Sequence, residues 1–385
     1  MIQQIIKNTE LLANVVDIND FFCIPCFDCV LNPDLSYVED LSFQKWASAF
    51  DKYVVFGTGG SALGGKAIKA FLAPFSNVIF IDNLDYDSFK NTLENLDIAS
   101  TGFLVISKSG ETIETIAQML TSFNSFEKDE IKYHFFCITE DKDSTIKRIC
   151  KSYDILTIDH PKDIGGRFSV FSPVGMTVAY LMGLDCKKFI DGAQNAIKDL
   201  RKDSKKISFL HSLYDKEIHD IVFMSYSEKF NELCMWIRQL IAESTGKGGE
   251  GITPITAIGP VDQHSQLQLY LGGQKNKGFT FFIDKSTTVD EKLKIQCLDS
   301  SISFLNNKTI KDLIGAEAVA TIDTLCEANI PVRIFEVANF NEKILGYIFM
   351  RFMLEVVYTC IAIGVNPFDQ PHVERIKILT KQNLN

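Results

Sequence analysis

Positive charge is in short supply in this chain of 385 residues. It has 39 Lys and Arg against 49 Asp and Glu, for a formal net charge of −10. Because phosphate backbones are held by an excess of Lys and Arg, nucleic acid is not an expected partner. A small anionic substrate would need a local cluster of cations.

Cysteine and histidine residues at the spacing of metal ligands are also scarce. The only cysteine cluster is Cys23, Cys26 and Cys29, with no second Cys or His group to complete a zinc site and with Pro33 where an iron–sulfur run would place its fourth cysteine. We therefore predict that these cysteines are structural and that no metal is bound. The other seven cysteines are scattered along the chain, as buried free thiols usually are. Free thiols favour a reducing, cytoplasmic location.

No secretory signal is recognisable, because Glu10 and Asn14 interrupt the segment where an apolar run would lie. The most apolar stretch, Ile344–Val365, is long enough to span a bilayer, but Arg351 and Glu355 lie within it. These two side chains are four residues apart and can pair on one helical face. The pattern predicts a buried core or subunit-interface helix.

Short apolar runs alternate with longer helical segments through most of the chain. This alternation predicts an α/β fold in which parallel sheets lie between helices. Nine strands are predicted: Tyr53–Phe56, Val78–Ile81, Phe103–Ile106, His134–Ile138, Ile155–Ile158, Asp220–Met224, Thr253–Ile258, Phe279–Ile283 and Val332–Val337. A Lys-rich stretch near residue 200 divides two tandem α/β units. We predict a first domain over 1–199 that begins with a helical, loop-interrupted extension over residues 1–45, a second domain over 200–365 and a C-terminal arm over 366–385.

Two segments rich in glycine or hydroxyl groups each follow a predicted strand and open a helix. The first, Gly57–Ser61, lacks the GxGxxG spacing and downstream acid of a dinucleotide site, so NAD is not expected. The second, Ser107–Thr112, combines three hydroxyls and a lysine with the free N–H groups of a helix start. Helix capping accounts for one hydroxyl but not for the group, so the segment predicts a phosphate site.

Four further segments supply charged or titratable groups. Arg167 follows a glycine pair and can hold an anionic oxygen with forked donors. Glu243 lies at the end of a predicted helix, where the dipole disfavours negative charge and favours a carboxylate that accepts a proton. His264 opens a helix after a strand and can exchange a proton at cellular pH. The fourth segment, residues 366–377, carries charged groups near the chain end. Each segment alone also fits a solvated turn or tail.

Taken in order, the segments resemble the glucose-6-phosphate isomerase family. The resemblance covers about residues 53 to 377 and rests on the motifs GTGGS, SKSGETIET, GGRFSVFSPVG, AESTGK, DQHSQ and NPFDQPHVERIK. It implies two sugar-isomerase (SIS-type) domains and the reversible conversion of glucose 6-phosphate to fructose 6-phosphate through a cis-enediol, without a metal or cofactor. It also implies a homodimer.

The resemblance assigns roles to thirteen residues. A phosphate-binding role falls on Ser107, Lys108, Ser109 and Thr112, and a sugar-contacting role on Gly60, Ser61, Gly166, Gln239 and Gln370. Proton transfer falls on Glu243, stabilisation of the enediolate on Arg167, and ring opening on His264 and Lys377. In this family the histidine reaches in from the partner subunit.

The chain departs from the family pattern at several positions. Thr58 replaces an isoleucine, and His372 replaces a glycine five residues before Lys377. The tripeptide Pro260-Val261-Asp262 stands where some members carry Thr-Asn-Gly before the Gln-His pair. Two alternatives stay open at this point: a dual phosphoglucose/phosphomannose isomerase, and a non-catalytic regulator that binds sugar phosphates.

Overall fold

Two five-stranded sheets organise the chain. A computed structural model describes residues 2–12, 21, 23–287, 290–294 and 299–384. The strands are β1 (Ile2–Lys7), β2 (Lys52–Phe56), β3 (Val78–Ile81), β4 (Thr101–Ile106), β5 (Phe135–Thr139), β6 (Leu156–Asp159), β7 (Asp220–Ser225), β8 (Thr253–Ile258), β9 (Lys277–Asp284) and β10 (Val332–Val337). All nine predicted strands are confirmed to within two residues at either end.

The first sheet is fully parallel, with strand order β3-β2-β4-β5-β6. Its central strands are nearly continuous apolar runs because helices cover both faces. Val54 and Phe103 pack in a cluster on one face, whereas Val55 and Leu104 pack in a separate cluster on the other. The predicted parallel sheet between helices is therefore confirmed for this half.

The second sheet has strand order β1-β10-β9-β7-β8, and its first strand corrects the sequence prediction. The sequence predicts a helical extension over residues 1–45, and helices do form over Pro25–Leu31 and Ser36–Glu39. The start of the segment is instead a strand, because β1 pairs antiparallel with β10, from Ile2 opposite Val337 to Lys7 opposite Val332. The other four strands are parallel. The N-terminus thus completes the edge of the second sheet, which makes that sheet mixed.

Helices fill both sides of the sheets. They are α1 (Pro25–Leu31), α2 (Ser36–Glu39), α3 (Leu41–Ala47), α4 (Leu63–Leu72), α5 (Tyr86–Glu94), α6 (Ile113–Phe123), α7 (Ile131–His134), α8 (Thr145–Tyr153), α9 (Pro173–Leu181), α10 (Cys186–Lys202), α11 (Phe209–Tyr214), α12 (Asn231–Thr245), α13 (Gly259–Asp262), α14 (Leu267–Gly272), α15 (Ile310–Glu327), α16 (Glu342–Ala362) and α17 (Glu374–Leu384). The predicted domain boundary between residues 199 and 200 falls within α10.

Helix α16 is the core helix that the sequence predicted. Among the described residues it is the one helix long and apolar enough to cross a membrane, but it lies inside the protein, packed against α10 and α12. Its buried carboxylate, Glu355, forms its ion pair with Arg333 rather than with Arg351. Arg333 Nη1 lies 2.6 Å and 2.7 Å from the two oxygens of Glu355. The expected Arg351–Glu355 pair is therefore corrected to a pair between strand β10 and helix α16.

Replacing Glu355 by glutamine should destabilise the fold by about 3–5 kcal/mol, because two buried arginines would lose the negative charge that most favours their charged form. Arg333 and Arg351 are both buried, and burial lowers the pKa of each, against the opposing effect of the Glu355 carboxylate. Urea unfolding measures this change. The exposed Glu327, replaced in the same way, should change stability by no more than about 0.5 kcal/mol. Equal effects of the two substitutions would contradict the prediction.

Candidate active site

The candidate site lies at the carboxyl end of the first sheet, between β2 and β4. These strands are neighbours, but the chain leaves β2 toward β3 on one side and leaves β4 toward β5 on the other. Such a topological switch point opens a crevice in which parallel α/β sheets bind ligands. Gly57–Ser61 follows β2 and Ser107–Thr112 follows β4, so both predicted loops border this crevice.

The Ser107–Thr112 loop is ordered by its own hydroxyl groups. Ser107 Oγ donates to Thr112 Oγ1 at 3.0 Å, and Ser109 Oγ accepts from the backbone N–H of Glu111 at 3.1 Å. Thr112 is the N-cap residue of α6, so the loop ends where the free N–H groups of that helix begin. Hydroxyl donors, backbone donors and the positive end of a helix dipole thus lie together.

Lys108 is held by Glu140, a residue that the sequence analysis missed. Lys108 Nζ lies 3.5 Å from Glu140 Oε1, and the other carboxylate oxygen contacts Lys142. Burial alone would raise the pKa of Glu140, but Lys142 and Lys108 lower it below its ordinary value. Its position directly after strand β5, at the same edge of the sheet as the loop, is the signal that could have found it.

Arg167 is the most highly connected side chain of the site. It is only 3% exposed, and its Nε donates to Ser244 Oγ at 2.9 Å. Nη1 lies 3.4 Å from Glu243 Oε2. Burial lowers the pKa of this guanidinium, and the Glu243 carboxylate opposes that shift. Ser244, another residue missed by the sequence analysis, lies within the AESTGK motif beside Glu243.

The segment at the start of the C-terminal arm completes the shell around Arg167. Nη1 donates to Gln370 Oε1 at 3.0 Å, and Nη2 donates to the backbone carbonyls of Asp369, at 3.0 Å, and Pro367. Most N–H groups of the guanidinium therefore donate hydrogen bonds to other groups of the protein. This network fixes its orientation beside Glu243.

Glu243 is both held and accessible. It lies in the last turn of α12, and its Oε1 accepts from Gln239 Nε2 at 2.9 Å. About a third of its side chain, 35%, remains exposed. A carboxylate fixed by an amide on one side and a guanidinium on the other, yet open to the crevice, has the geometry of a general base.

The two glycine-rich turns meet at Gly60 and Gly166. A Cβ atom on Gly60 would lie 2.2 Å from the carbonyl carbon of Gly166, so only glycine permits this approach. On the same turn, a Cβ on Gly59 would lie 2.9 Å from Gln239 Nε2. The structure therefore brings the GTGGS turn, the Arg167 turn and the end of α12 together.

His264 and Lys377 lie outside this cluster. His264 is exposed on the turn that follows α13. Lys377 is exposed on α17, with its Nζ 2.6 Å from Glu374 Oε1. Within the described part of one chain, neither side chain makes a hydrogen bond or ion pair with Arg167 or Glu243.

Metal-ligating side chains do not cluster in the described ranges: no three His, Cys, Asp or Glu groups there could hold an ion. Of the CxxCxxC segment, Cys26 and Cys29 lie on α1, where Cys29 Sγ donates to the Cys26 carbonyl at 3.3 Å. Burial raises the pKa of Cys29 to about 12, as befits a packed thiol.

Comparison with known proteins assigns the chain to a family. The family model described as Phosphoglucose isomerase matches residues 36–262. The glucose-6-phosphate isomerase of Methanocaldococcus jannaschii is 34% identical over 354 residues, which cover 89% of this chain and 87% of the relative. The glucose-6-phosphate isomerase of Campylobacter jejuni is 32% identical over 373 residues, which cover 92% and 89%.

Solved structures agree on the fold. A hypothetical protein from Thermus thermophilus superposes with a TM-score of 0.84 at 29% identity, covering 92% of this chain and 89% of that chain. A glucose-6-phosphate isomerase from Chlamydia trachomatis gives a TM-score of 0.74 at 22% identity, covering 89% and 71%, which shows the shared fold alone. By its sequence motifs, its matched family model and its close relatives, this chain belongs to the phosphoglucose isomerase family.

Proposed function

We propose that the chain interconverts glucose 6-phosphate and fructose 6-phosphate by proton transfer between C2 and C1. The observation that carries the proposal is the Arg167–Glu243 pair, an accessible carboxylate 3.4 Å from a buried guanidinium. It borders the same crevice as a Ser/Thr/Lys loop suited to a phosphate. Relatives at 31–34% identity named glucose-6-phosphate isomerase support the same reaction.

The chemistry follows from the charges. The 6-phosphate binds the loop of Ser107, Lys108, Ser109 and Thr112, and the sugar lies over Gly60, Ser61 and Gly166 with Gln239 and Gln370 at its edge. Glu243 removes the proton from C2 and returns it to C1. Negative charge develops on O1 and O2 of the cis-enediolate, where the Arg167 guanidinium stabilises it by about 3–4 kcal/mol.

Ring opening requires an acid at the ring oxygen and a base at the anomeric hydroxyl, and we assign these tasks to His264 and Lys377. Because His264 lies outside the Arg167 cluster of its own chain, we propose a homodimer in which it enters the partner's site. Exposed apolar side chains on both sides of His264 support an interface there: Val261 is 60% exposed and Leu269 is 56% exposed.

A coupled assay tests the proposed function. Fructose 6-phosphate, mannose 6-phosphate and the two unphosphorylated sugars are compared, each with and without a chelator. We expect turnover of fructose 6-phosphate that the chelator does not change, with the unphosphorylated sugars turned over far more slowly. Failure to convert fructose 6-phosphate would contradict the proposal. Equal conversion of mannose 6-phosphate would extend it to a dual isomerase.

Replacing Lys108 and Ser107 together by alanine should raise KM far more than it lowers kcat. Contacts to the phosphate are made equally in the ground state and the transition state. Their loss therefore weakens the binding of both states to a similar extent. Steady-state kinetics with fructose 6-phosphate measure the split. Lys142→Ala is the matched control, because Lys142 pairs with the same Glu140 but lies outside the loop. A steep fall in kcat at unchanged KM would rule out this role.

We also propose a cytoplasmic location. Buried free thiols, including Cys137, Cys150 and Cys234, support a reducing compartment.

A further inference from the structure

Within the described part of the C-terminal arm, burial is confined to its start. Every residue from Pro371 to Leu384 is exposed, whereas Pro367 is buried and meets Arg167. The backbone carbonyl of Asp369 and the side-chain amide oxygen of Gln370 also accept hydrogen bonds from Arg167. The orientation of the arginine therefore depends on what holds residues 366–370 in place.

A buried lysine holds that segment from the other side. Lys247 is only 9% exposed, and its Nζ lies 2.9 Å from Asp369 Oδ1. The same ammonium group donates to the backbone carbonyl of Asn366. Lys247 thus joins the two ends of a short loop whose Pro367 and Asp369 carbonyls face Arg167. The hydrogen bond from Lys247 lowers the pKa of Asp369 below its ordinary value, as expected for a paired carboxylate.

The turn after α12 places Lys247 in this position. The Lys247 N–H donates to the Glu250 carbonyl at 3.2 Å, and the Glu250 N–H donates to the Lys247 carbonyl at 3.0 Å. Gly248 and Gly249, between them, have φ of +65° and +90°, which glycine adopts without steric cost. A tight turn with fixed backbone pairing therefore directs one long side chain back toward the arm.

We propose that Lys247 is a positioning residue for the isomerisation: it fixes residues 366–370, and through Gln370 and the Pro367 and Asp369 carbonyls it fixes the Arg167 guanidinium beside Glu243. The proposal rests on the proposed function. Lys247 acts through Arg167 and not on the substrate. Its loss should therefore affect the step in which charge develops more than substrate binding.

Lys247→Met tests this role. We expect kcat for fructose 6-phosphate to fall roughly 10- to 100-fold, the scale of effect that a displaced catalytic group produces, with a smaller rise in KM because Gln370 also borders the sugar. Lys247→Arg keeps the charge and should recover most of the lost rate. Lys187→Met, at an exposed lysine paired with Glu39, is the control and should behave as wild type.

Asp369→Asn removes the charge from the other partner of the Lys247–Asp369 contact. Because the Asp369 side chain is exposed, this variant should fold even where Lys247→Met does not. If the two groups act together, the double variant should be no slower than the slower single variant. Multiplied effects in the double variant, an unchanged kcat in Lys247→Met, or a rise in KM alone would each overturn the proposal.

Hydrogen exchange separates this inference from the proposed function. Exchange of the Phe368 N–H, which donates to Asn366 Oδ1 at 3.0 Å, should quicken in Lys247→Met and not in Lys187→Met. If wild-type protein lacked isomerase activity, the proposed function would fail while this measurement would still decide whether Lys247 holds the segment. Unchanged exchange would overturn the inference even in an active enzyme.

Discussion

Glu243→Gln should lower isomerase turnover by roughly 10³- to 10⁴-fold, the upper range for loss of a general base. Exchange of the C2 proton with solvent should disappear at the same time. The substitution keeps the shape of the side chain, and its amide oxygen can still accept from Gln239. Binding of fructose 6-phosphate should therefore be retained, because the phosphate loop lies on a different element, after β4.

Two measurements check this expectation. Nuclear magnetic resonance in deuterium oxide follows incorporation of solvent deuterium into the sugar phosphate, and calorimetry follows binding. Glu232→Gln is the matched control, because Glu232 lies on the same helix but pairs with Lys66 instead of Arg167. Persistent deuterium incorporation in Glu243→Gln would show that another group removes the proton.

The strands could be predicted from the sequence because their signal is local. A parallel strand covered on both faces is a short, continuous apolar run, as β2, β4 and β5 are, and all nine predicted strands belong to the two sheets. Strand β1 was missed because IQQIIK contains two glutamines and is only partly buried. Its partner, β10, lies more than 300 residues away, so no local pattern indicates the pairing.

The same distinction separates the predictable and unpredictable parts of the site. The turns after β2 and β4 could be found because carboxyl ends of neighbouring parallel strands converge at a switch point. The contacts of Arg167 could not, because Ser244 and Asp369 are 77 and 202 residues away in sequence. For the same reason, the helical spacing of Arg351 and Glu355 suggested a local pair, whereas the carboxylate binds Arg333 on a strand.

Mixed dimers of Glu243→Gln and His264→Ala should regain activity although each parent is nearly inactive. The expectation follows from the proposed homodimer, in which one site takes Glu243 from one chain and His264 from the other. His264→Ala alone should slow ring opening, and so reduce turnover of the closed-ring substrate more than turnover of an open-chain analogue. When the two variants are unfolded and refolded together, each mixed dimer contains one site with both substitutions and one site with neither.

Random assembly makes half of the dimers mixed, so about a quarter of all sites should be intact. The double variant refolded with wild-type chains gives the converse test. Every site of those mixed dimers would carry one substitution if sites are shared, which leaves about a quarter of the wild-type activity, whereas self-contained sites would leave about half. Native mass spectrometry measures the fraction of mixed dimers in both experiments. Mixed dimers that form but stay as inactive as their parents would place both residues in one chain's site or make His264 structural.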